Sequence, residues 1–158
     1  MFDKILVASD FSTDADAALA LAIDLARERH ATLDIVHAYP PDTYVLPPPL
    51  DLVGLAPGPS SLTHVEEALE LRAGHARKVG LTVTTQTLMG PPHEVLVDHA
   101  TATGADVIVV GSRGLGAMAH ALLGSVAEKV VRHAPCPVLV VPHAESRRKL
   151  AKAAGSPR

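Results

Sequence analysis

Apolar positions along the chain follow two alternating patterns. Short, almost continuously apolar runs are typical of strands that are buried on both faces of a parallel sheet. Longer segments between them repeat an apolar residue every three or four positions, which predicts helices that pack one face on the sheet. The predicted strands are Lys4–Ala8, Thr32–Ala38, Leu81–Leu88, Asp106–Val110 and Pro137–Val141. The predicted helices are one capped by Ser12, one capped by Thr63 and ended by Gly80, and two that span His93–Ala102 and Ser125–Ala134.

This order of elements predicts an α/β domain. Strands alternate with helices, so we expect an open, doubly wound parallel sheet of five strands with helices on both faces. Ligands of such sheets bind beyond the carboxyl ends of the strands, where the strand order reverses. Asp10 follows the first strand and Gly111 follows the fourth. If these two strands are neighbours, both residues face one crevice.

The chain of 158 residues is long enough for one domain, which we assign to residues 1–143. Seven of the 13 prolines lie in residues 40–60, a density that excludes a helix or a ladder there. This segment is either a lid over a ligand crevice or a tolerated surface insertion. Residues 144–158 carry five basic residues against one acid, which favours a disordered, solvated tail or a small arm for an acidic partner.

Composition excludes several classes of function. The net charge is −3 and only four residues are aromatic, so we expect no nucleic-acid partner. No apolar segment approaches the length of a membrane span, and the chain opens without a secretory signal, so we expect no membrane association. The single cysteine fits a reducing compartment, which predicts a cytoplasmic protein.

A glycine-rich loop carries the clearest chemical signal. Gly111-Ser112-Arg113-Gly114 is followed by nine residues and then by Gly124-Ser125, between an apolar strand and a helix. Glycines let backbone N–H groups approach an anion, and the helix start adds unpaired donors. No lysine precedes Ser125, which excludes a Walker-type loop, and no acid follows at the distance that a dinucleotide fingerprint requires. The loop therefore predicts a different kind of phosphate site.

Each candidate residue also has a structural interpretation. Ser125 could donate to phosphate or cap its helix in a capping box with Glu128. Asp10 could contact a ligand or only complete the turn after the first strand, and Arg113 could meet a terminal phosphate or be solvated. The nine histidines show no metal-ligand spacing, and we expect His99 at the surface. We find no catalytic residue, and therefore expect slow or negligible turnover of any bound phosphate compound.

These residues resemble the universal stress protein family, in its nucleotide-binding branch. The resemblance covers about residues 2–142. It rests most on the Gly-x2-Gly-x9-Gly-Ser spacing that begins at Gly111, and it includes further matching segments. These segments are Ile5–Ser12, Val36–Ala38, Gly90-Pro91, Val109–Gly114, Gly124–Val126 and Pro135–Val141.

The resemblance implies a strand order of 3-2-1-4-5, as in the adenine-nucleotide alpha-hydrolase-like folds, and a homodimer that pairs Pro137–Val141. It implies an ATP-binding regulatory protein of the stress response, with AMP or cyclic AMP as other ligands and an unknown regulatory protein as partner. Asp10 would lie near ribose, phosphates or a bound Mg²⁺. The other implied ligand-binding residues are Ala8, Ala38, Val110, Gly111, Arg113, Gly114, Gly124, Ser125 and Val126. A nucleotide hydrolase or nucleotidyl transferase, and a structural dimer that binds no nucleotide, are the alternatives.

Overall fold

A computed structural model of the chain describes residues 2–39, 59–113 and 123–142. Gly114, residues 40–58 of the proline-rich segment and the basic tail lie outside the described residues. The predictions made for them, a phosphate contact, a lid and a disordered or charged arm, stay predictions.

The described residues form a parallel sheet of five strands in the order β3-β2-β1-β4-β5, which confirms the predicted fold class and strand order. All neighbouring strands pair in parallel, and β1 lies between β2 and β4. In chain order the elements are β1 Lys4–Ala8, α1 Thr13–Arg29, β2 Thr32–Tyr39, α2 Pro59–Lys78, β3 Val83–Met89, α3 Pro92–Thr103, β4 Val107–Gly111, α4 Ser125–His133 and β5 Val138–Val141.

The helices cover both faces of this sheet. Small residues of α1, among them Ala18, Ala22 and Ala26, are fully buried and let the helix lie close against one face, which α2 also covers. On the other face Leu96 of α3 and Val130 of α4 pack against the sheet. The central strands are therefore buried on both sides, as their continuously apolar sequences predict. None of the helices in the described ranges combines the length and apolar character that a membrane crossing requires.

Three predictions of local structure are wrong. Helix α2 begins at Pro59, so Thr63 lies inside it rather than at its cap. Proline has no N–H to lose in a first helical turn, so the last residues of the proline-rich segment can be helical. Helix α4 is capped by Gly124, and Ser125 is its first residue, so Ser125 is not the helix cap.

The third wrong prediction concerns His99, which does not lie at the surface. Its side chain is only 16% exposed, and its Nε2 donates to Asp34 Oδ2 at 2.6 Å. Asp34 belongs to β2 and also accepts a hydrogen bond from the Thr84 hydroxyl of β3 at 2.8 Å. A buried carboxylate needs such partners, so this group joins α3 to two strands.

The amino ends of β1 and β4 are joined by Asp106. Its Oδ2 accepts the backbone N–H groups of Asp3 and Lys4, each at 2.9 Å. These two hydrogen bonds hold the pKa of the Asp106 carboxyl below its usual range, since they favour the charged form. The same residue thus links the two central strands at the end of the sheet opposite the crevice.

Candidate functional site

The carboxyl ends of β1 and β4 lie side by side. Val7 pairs with Val109, so the turn after Ala8 and the loop after Gly111 leave the same edge of the sheet. The strand order reverses between β1 and β4, because β2 lies on one side of β1 and β4 on the other. The condition that places Asp10 and the glycine loop at one crevice is therefore met.

The turn after β1 is held by its own side chains. Asp10 Oδ1 accepts the Ser12 N–H at 3.0 Å, so Asp10 does complete this turn, as its structural interpretation predicts. Ser12 Oγ accepts the Ala15 N–H at 3.2 Å and caps α1, which confirms the predicted cap. Phe11, between them, has a φ of 64°. Its ring centroid lies 4.7 Å from that of His37, which stabilises this left-handed residue by packing.

Asp14 links α1 to the start of the glycine loop. Its carboxylate is buried, and Oδ2 accepts the Ser112 hydroxyl at 2.6 Å and the Arg113 N–H at 3.1 Å. Arg113 Nε lies 4.0 Å from the same oxygen, with its side chain 21% exposed. Sequence analysis did not identify Asp14 as a site residue. Its position in the first turn of the helix that follows the first strand of a predicted crevice was the signal for a contact with the loop.

Gly111 lets α1 approach the sheet. A Cβ at this position would lie 2.7 Å from the carbonyl carbon of Asp14 and 2.8 Å from the backbone nitrogen of Ala15. Both are backbone atoms that cannot rotate away. The first glycine of the motif is therefore required by packing, whatever the loop binds.

The two described ends of the loop are joined by backbone hydrogen bonds. The Gly124 N–H donates to the Ser112 carbonyl oxygen at 2.7 Å, and the Ser112 N–H donates to the Val141 carbonyl oxygen at 2.9 Å. Gly124 caps α4 with an extended backbone and supplies no side-chain acceptor. Ser125 and Val126, in the first turn, are exposed. The start of α4 thus lies next to the end of β4, and within the described part of the chain no capping side chain occupies its donors.

The remaining candidates surround this edge. Ala8 and Ala38 are half-buried at the ends of β1 and β2, where Ala8 pairs with Val36. Val110 is only 3% exposed and packs into the core on the α3 and α4 face. Only its backbone is therefore in a position to contact a ligand.

The described residues contain no cluster of three His, Cys, Asp or Glu side chains that could hold a metal ion. Cys136 is half-buried, and burial, with a smaller effect of the Asp106 charge, raises the pKa of its thiol. A thiol with a raised pKa carries little of the nucleophilic thiolate at neutral pH. Cys136 is thus suited to packing rather than to covalent catalysis.

Known proteins are similar to this chain in sequence and in fold. The model of the universal stress protein family matches residues 1–142. A universal stress protein of Thermus aquaticus, encoded in the QAH/OAS sulfhydrylase 3′ region, is 39% identical over 150 residues, which cover 89% of this chain and 99% of the relative.

Solved structures of universal stress proteins are similar to this chain as well. A universal stress protein in complex with cyclic AMP superposes with a TM-score of 0.67 at 28% identity, covering 90% of this chain and 98% of the other. The protein of Archaeoglobus fulgidus in complex with dAMP gives a TM-score of 0.65 at 26% identity, covering 89% and 99%. The match of the family model to nearly the whole described fold decides the assignment: the chain belongs to the universal stress protein family.

Proposed function

We propose that this chain binds an adenine nucleotide at the crevice between the carboxyl ends of β1 and β4, with ATP as the first candidate. The observation that carries the proposal is the 2.7 Å hydrogen bond between Gly124 and Ser112, which holds the start of α4 against the end of β4. A helix start without a side-chain cap, beside a glycine-rich loop, is an anion site of the kind that phosphates occupy.

The phosphates would lie at the start of α4. Ser125 and Val126 would donate their backbone N–H groups, and the exposed Ser125 hydroxyl would add a third donor. Gly124 would let the backbone approach closely, and Gly114 and Arg113 would complete the phosphate contacts from the loop. Gly111 contributes indirectly, because its lack of a side chain lets α1 pack against the end of β4, where this loop begins.

The nucleoside would lie over the ends of β1 and β2. Backbone groups of Ala8, Ala38 and Val110 would meet the adenine and ribose. Asp10 would face the ribose or a Mg²⁺ that arrives with the phosphates, since Mg²⁺ commonly takes one or two protein carboxylates and completes its shell with phosphate oxygens and water. The relatives in complex with cyclic AMP and dAMP support an adenine ligand and leave AMP and cyclic AMP as the other candidates.

We further propose that nucleotide occupancy is the regulatory signal of a cytoplasmic homodimer in the stress response. The dimer would pair β5, an edge strand whose Leu139 is 36% exposed. A separate regulatory protein would then distinguish the occupied state from the empty one. The expectation of slow or negligible ATP hydrolysis stays a prediction.

The proposal is tested by replacing Ser125. A glutamate at the first position of α4 suits the helix dipole, so Ser125→Glu should fold at least as stably as the parent. Its charge would repel phosphate, and we expect ATP affinity to fall by about tenfold or more. Ser125→Gln has the same length without the charge and should lose less affinity. Thermal-shift titrations with ATP, AMP and cyclic AMP measure both effects, and equal ATP affinity in the parent and in Ser125→Glu would contradict the site.

A further inference from the structure

We propose that Asp14 is a positioning residue for the phosphate half of the nucleotide site, acting through Ser112 and Arg113. The inference rests on the proposed function and adds to it a residue that makes no contact with the ligand itself. It concerns how α1, a helix outside the glycine loop, holds Ser112 and Arg113 at the start of that loop.

The buried carboxylate of Asp14 holds two consecutive residues at the start of the glycine loop. The residue is 4% exposed, and one oxygen, Oδ2, accepts both the Ser112 hydroxyl and the Arg113 N–H. These partners lie 98 and 99 residues away along the chain. A buried carboxylate with short hydrogen bonds to neighbouring residues holds them firmly, because leaving any of these groups without a partner is costly.

Ser112 passes this constraint on to the start of α4. Its hydroxyl is held by Asp14, its N–H by the Val141 carbonyl oxygen, and its own carbonyl oxygen by the Gly124 N–H. Ser112 is itself only 5% exposed. The position of Gly124, and hence of the first N–H groups of α4, therefore depends on a residue that Asp14 fixes on one side.

The effect should be specific to phosphate. Asp14 hydrogen-bonds to Ser112 and Arg113 at the start of the glycine loop. Of the proposed nucleoside contacts, Ala8 and Ala38 lie on β1 and β2, and Val110 lies on β4 two residues before Ser112 and would contribute only backbone groups. Loss of the Asp14 carboxylate should weaken binding of ATP and leave binding of adenosine, which has no phosphate, largely unchanged.

The hydrogen-bond acceptor should matter more than the charge. The hydrogen bonds from Ser112 and Arg113 both go to Oδ2, so an asparagine whose amide oxygen takes the place of Oδ2 can accept from the same two donors. Asparagine also removes a buried negative charge beside the bound phosphates. Asp14→Asn should therefore bind ATP as tightly as the parent or more tightly.

The experiment measures ATP and adenosine affinities by calorimetry for the parent and four variants of the full chain. Asp14→Ala should lose ATP affinity by about tenfold, the effect expected for loss of two hydrogen bonds, with adenosine affinity within about twofold. Asp14→Asn should restore ATP binding. Asp16→Ala removes the other acid of the same helical turn, whose partner is Arg72 of α2, and should leave both affinities unchanged. Ser112→Ala removes one donor and serves if Asp14→Ala does not fold, with an expected loss of about threefold for ATP alone.

The outcomes separate this inference from the proposed function. A parent that binds no ATP contradicts the proposed function. A parent that binds ATP while Asp14→Ala, or Ser112→Ala in its place, binds it equally well overturns the inference alone. Equal losses for ATP and adenosine, or an Asp14→Asn variant as weak as Asp14→Ala, overturn it as well, because positioning of the loop through an acceptor predicts neither.

Discussion

Gly111 shows how one residue serves packing and the loop motif together. It ends β4, and the backbone of α1 occupies the space where its side chain would lie. Glycine motifs at phosphate loops are usually explained by the approach of the ligand. Here the first glycine is already explained by the approach of Asp14 and Ala15, and only the later positions of the motif are left for ligand contact.

A methyl group at Gly111 should destabilise the protein. Overpacking against backbone atoms typically costs about 1–3 kcal/mol, and we expect Gly111→Ala to lower the free energy of unfolding by that amount. The matched control is Gly74→Ala, inside α2, where nothing lies within 4 Å of the added Cβ. Alanine favours a helix over glycine, so the control should gain about 0.5–1 kcal/mol. Urea denaturation measures both, and a Gly111→Ala variant as stable as the parent would refute the close packing.

At the scale of residues, the roles that could be predicted from the sequence are those that depend only on nearby residues. The Ser12 cap follows from its place before a helix, and the turn role of Asp10 follows from its place after a strand. The roles of Asp14 and His99 depend on Ser112, Arg113 and Asp34, which are distant along the chain. Their burial is a consequence of the fold, so residue type and helical position alone suggested a surface position for His99 and no contact for Asp14.

At the scale of elements, Asp106 joins the two central strands. Its carboxylate, directly before β4, accepts the N–H groups of Asp3 and Lys4 at the amino end of β1. Its lowered pKa means that folding favours the ionised form. A carboxyl whose pKa falls on folding stabilises the protein at pH values above its unfolded pKa, about 3.9. That contribution is lost as pH falls through the lower, folded pKa.

The expected result is a stability difference that depends on pH. Asp106→Ala should be less stable than the parent at pH 7, and the difference should shrink as pH falls from about 5 toward about 3. Asp98→Ala removes an exposed carboxylate of α3 and serves as the control for the loss of a charge. Thermal unfolding at a series of pH values measures the difference, and curves that stay parallel for the parent and Asp106→Ala would contradict this role.

Most elements were predictable because each carries its own periodicity. The continuous apolar runs gave the five strands and the alanine-rich stripe gave α1, with bounds within a few residues. The start of α2 was not predictable, because Thr63 and Glu66 form a capping box in sequence while the chain is already helical from Pro59. Tertiary packing of a helix can extend it beyond such a local signal.

At the scale of the whole molecule, the two edges of the sheet differ. On the β3 edge, Arg77 of α2 donates to the Val83 carbonyl oxygen at 3.2 Å, so part of that edge is already occupied. The β5 edge carries Leu139, with the exposed Val126 and Val131 on the adjacent α4. An apolar edge strand favours pairing with a second copy, which is why we propose the dimer there.

The dimer prediction is tested by placing a charge on that edge. Leu139→Asp should shift the protein from dimer to monomer at micromolar concentration, because the interface would bury an unpaired carboxylate. Leu71→Asp, at a residue of α2 that is 76% exposed, makes the same change far from β5 and should remain dimeric. Sedimentation velocity distinguishes the two states. A parent that is monomeric, or a dimer that Leu139→Asp leaves intact, would refute the β5 interface.

The central claim is that the crevice between β1 and β4 holds an adenine nucleotide by its phosphates. Isothermal titration of the folded, nucleotide-free protein with ATP and Mg²⁺ tests it most directly. The account predicts saturable heat with one nucleotide per chain and weaker binding of adenosine than of ATP. A titration with no saturable heat, or adenosine that binds as tightly as ATP, would contradict it.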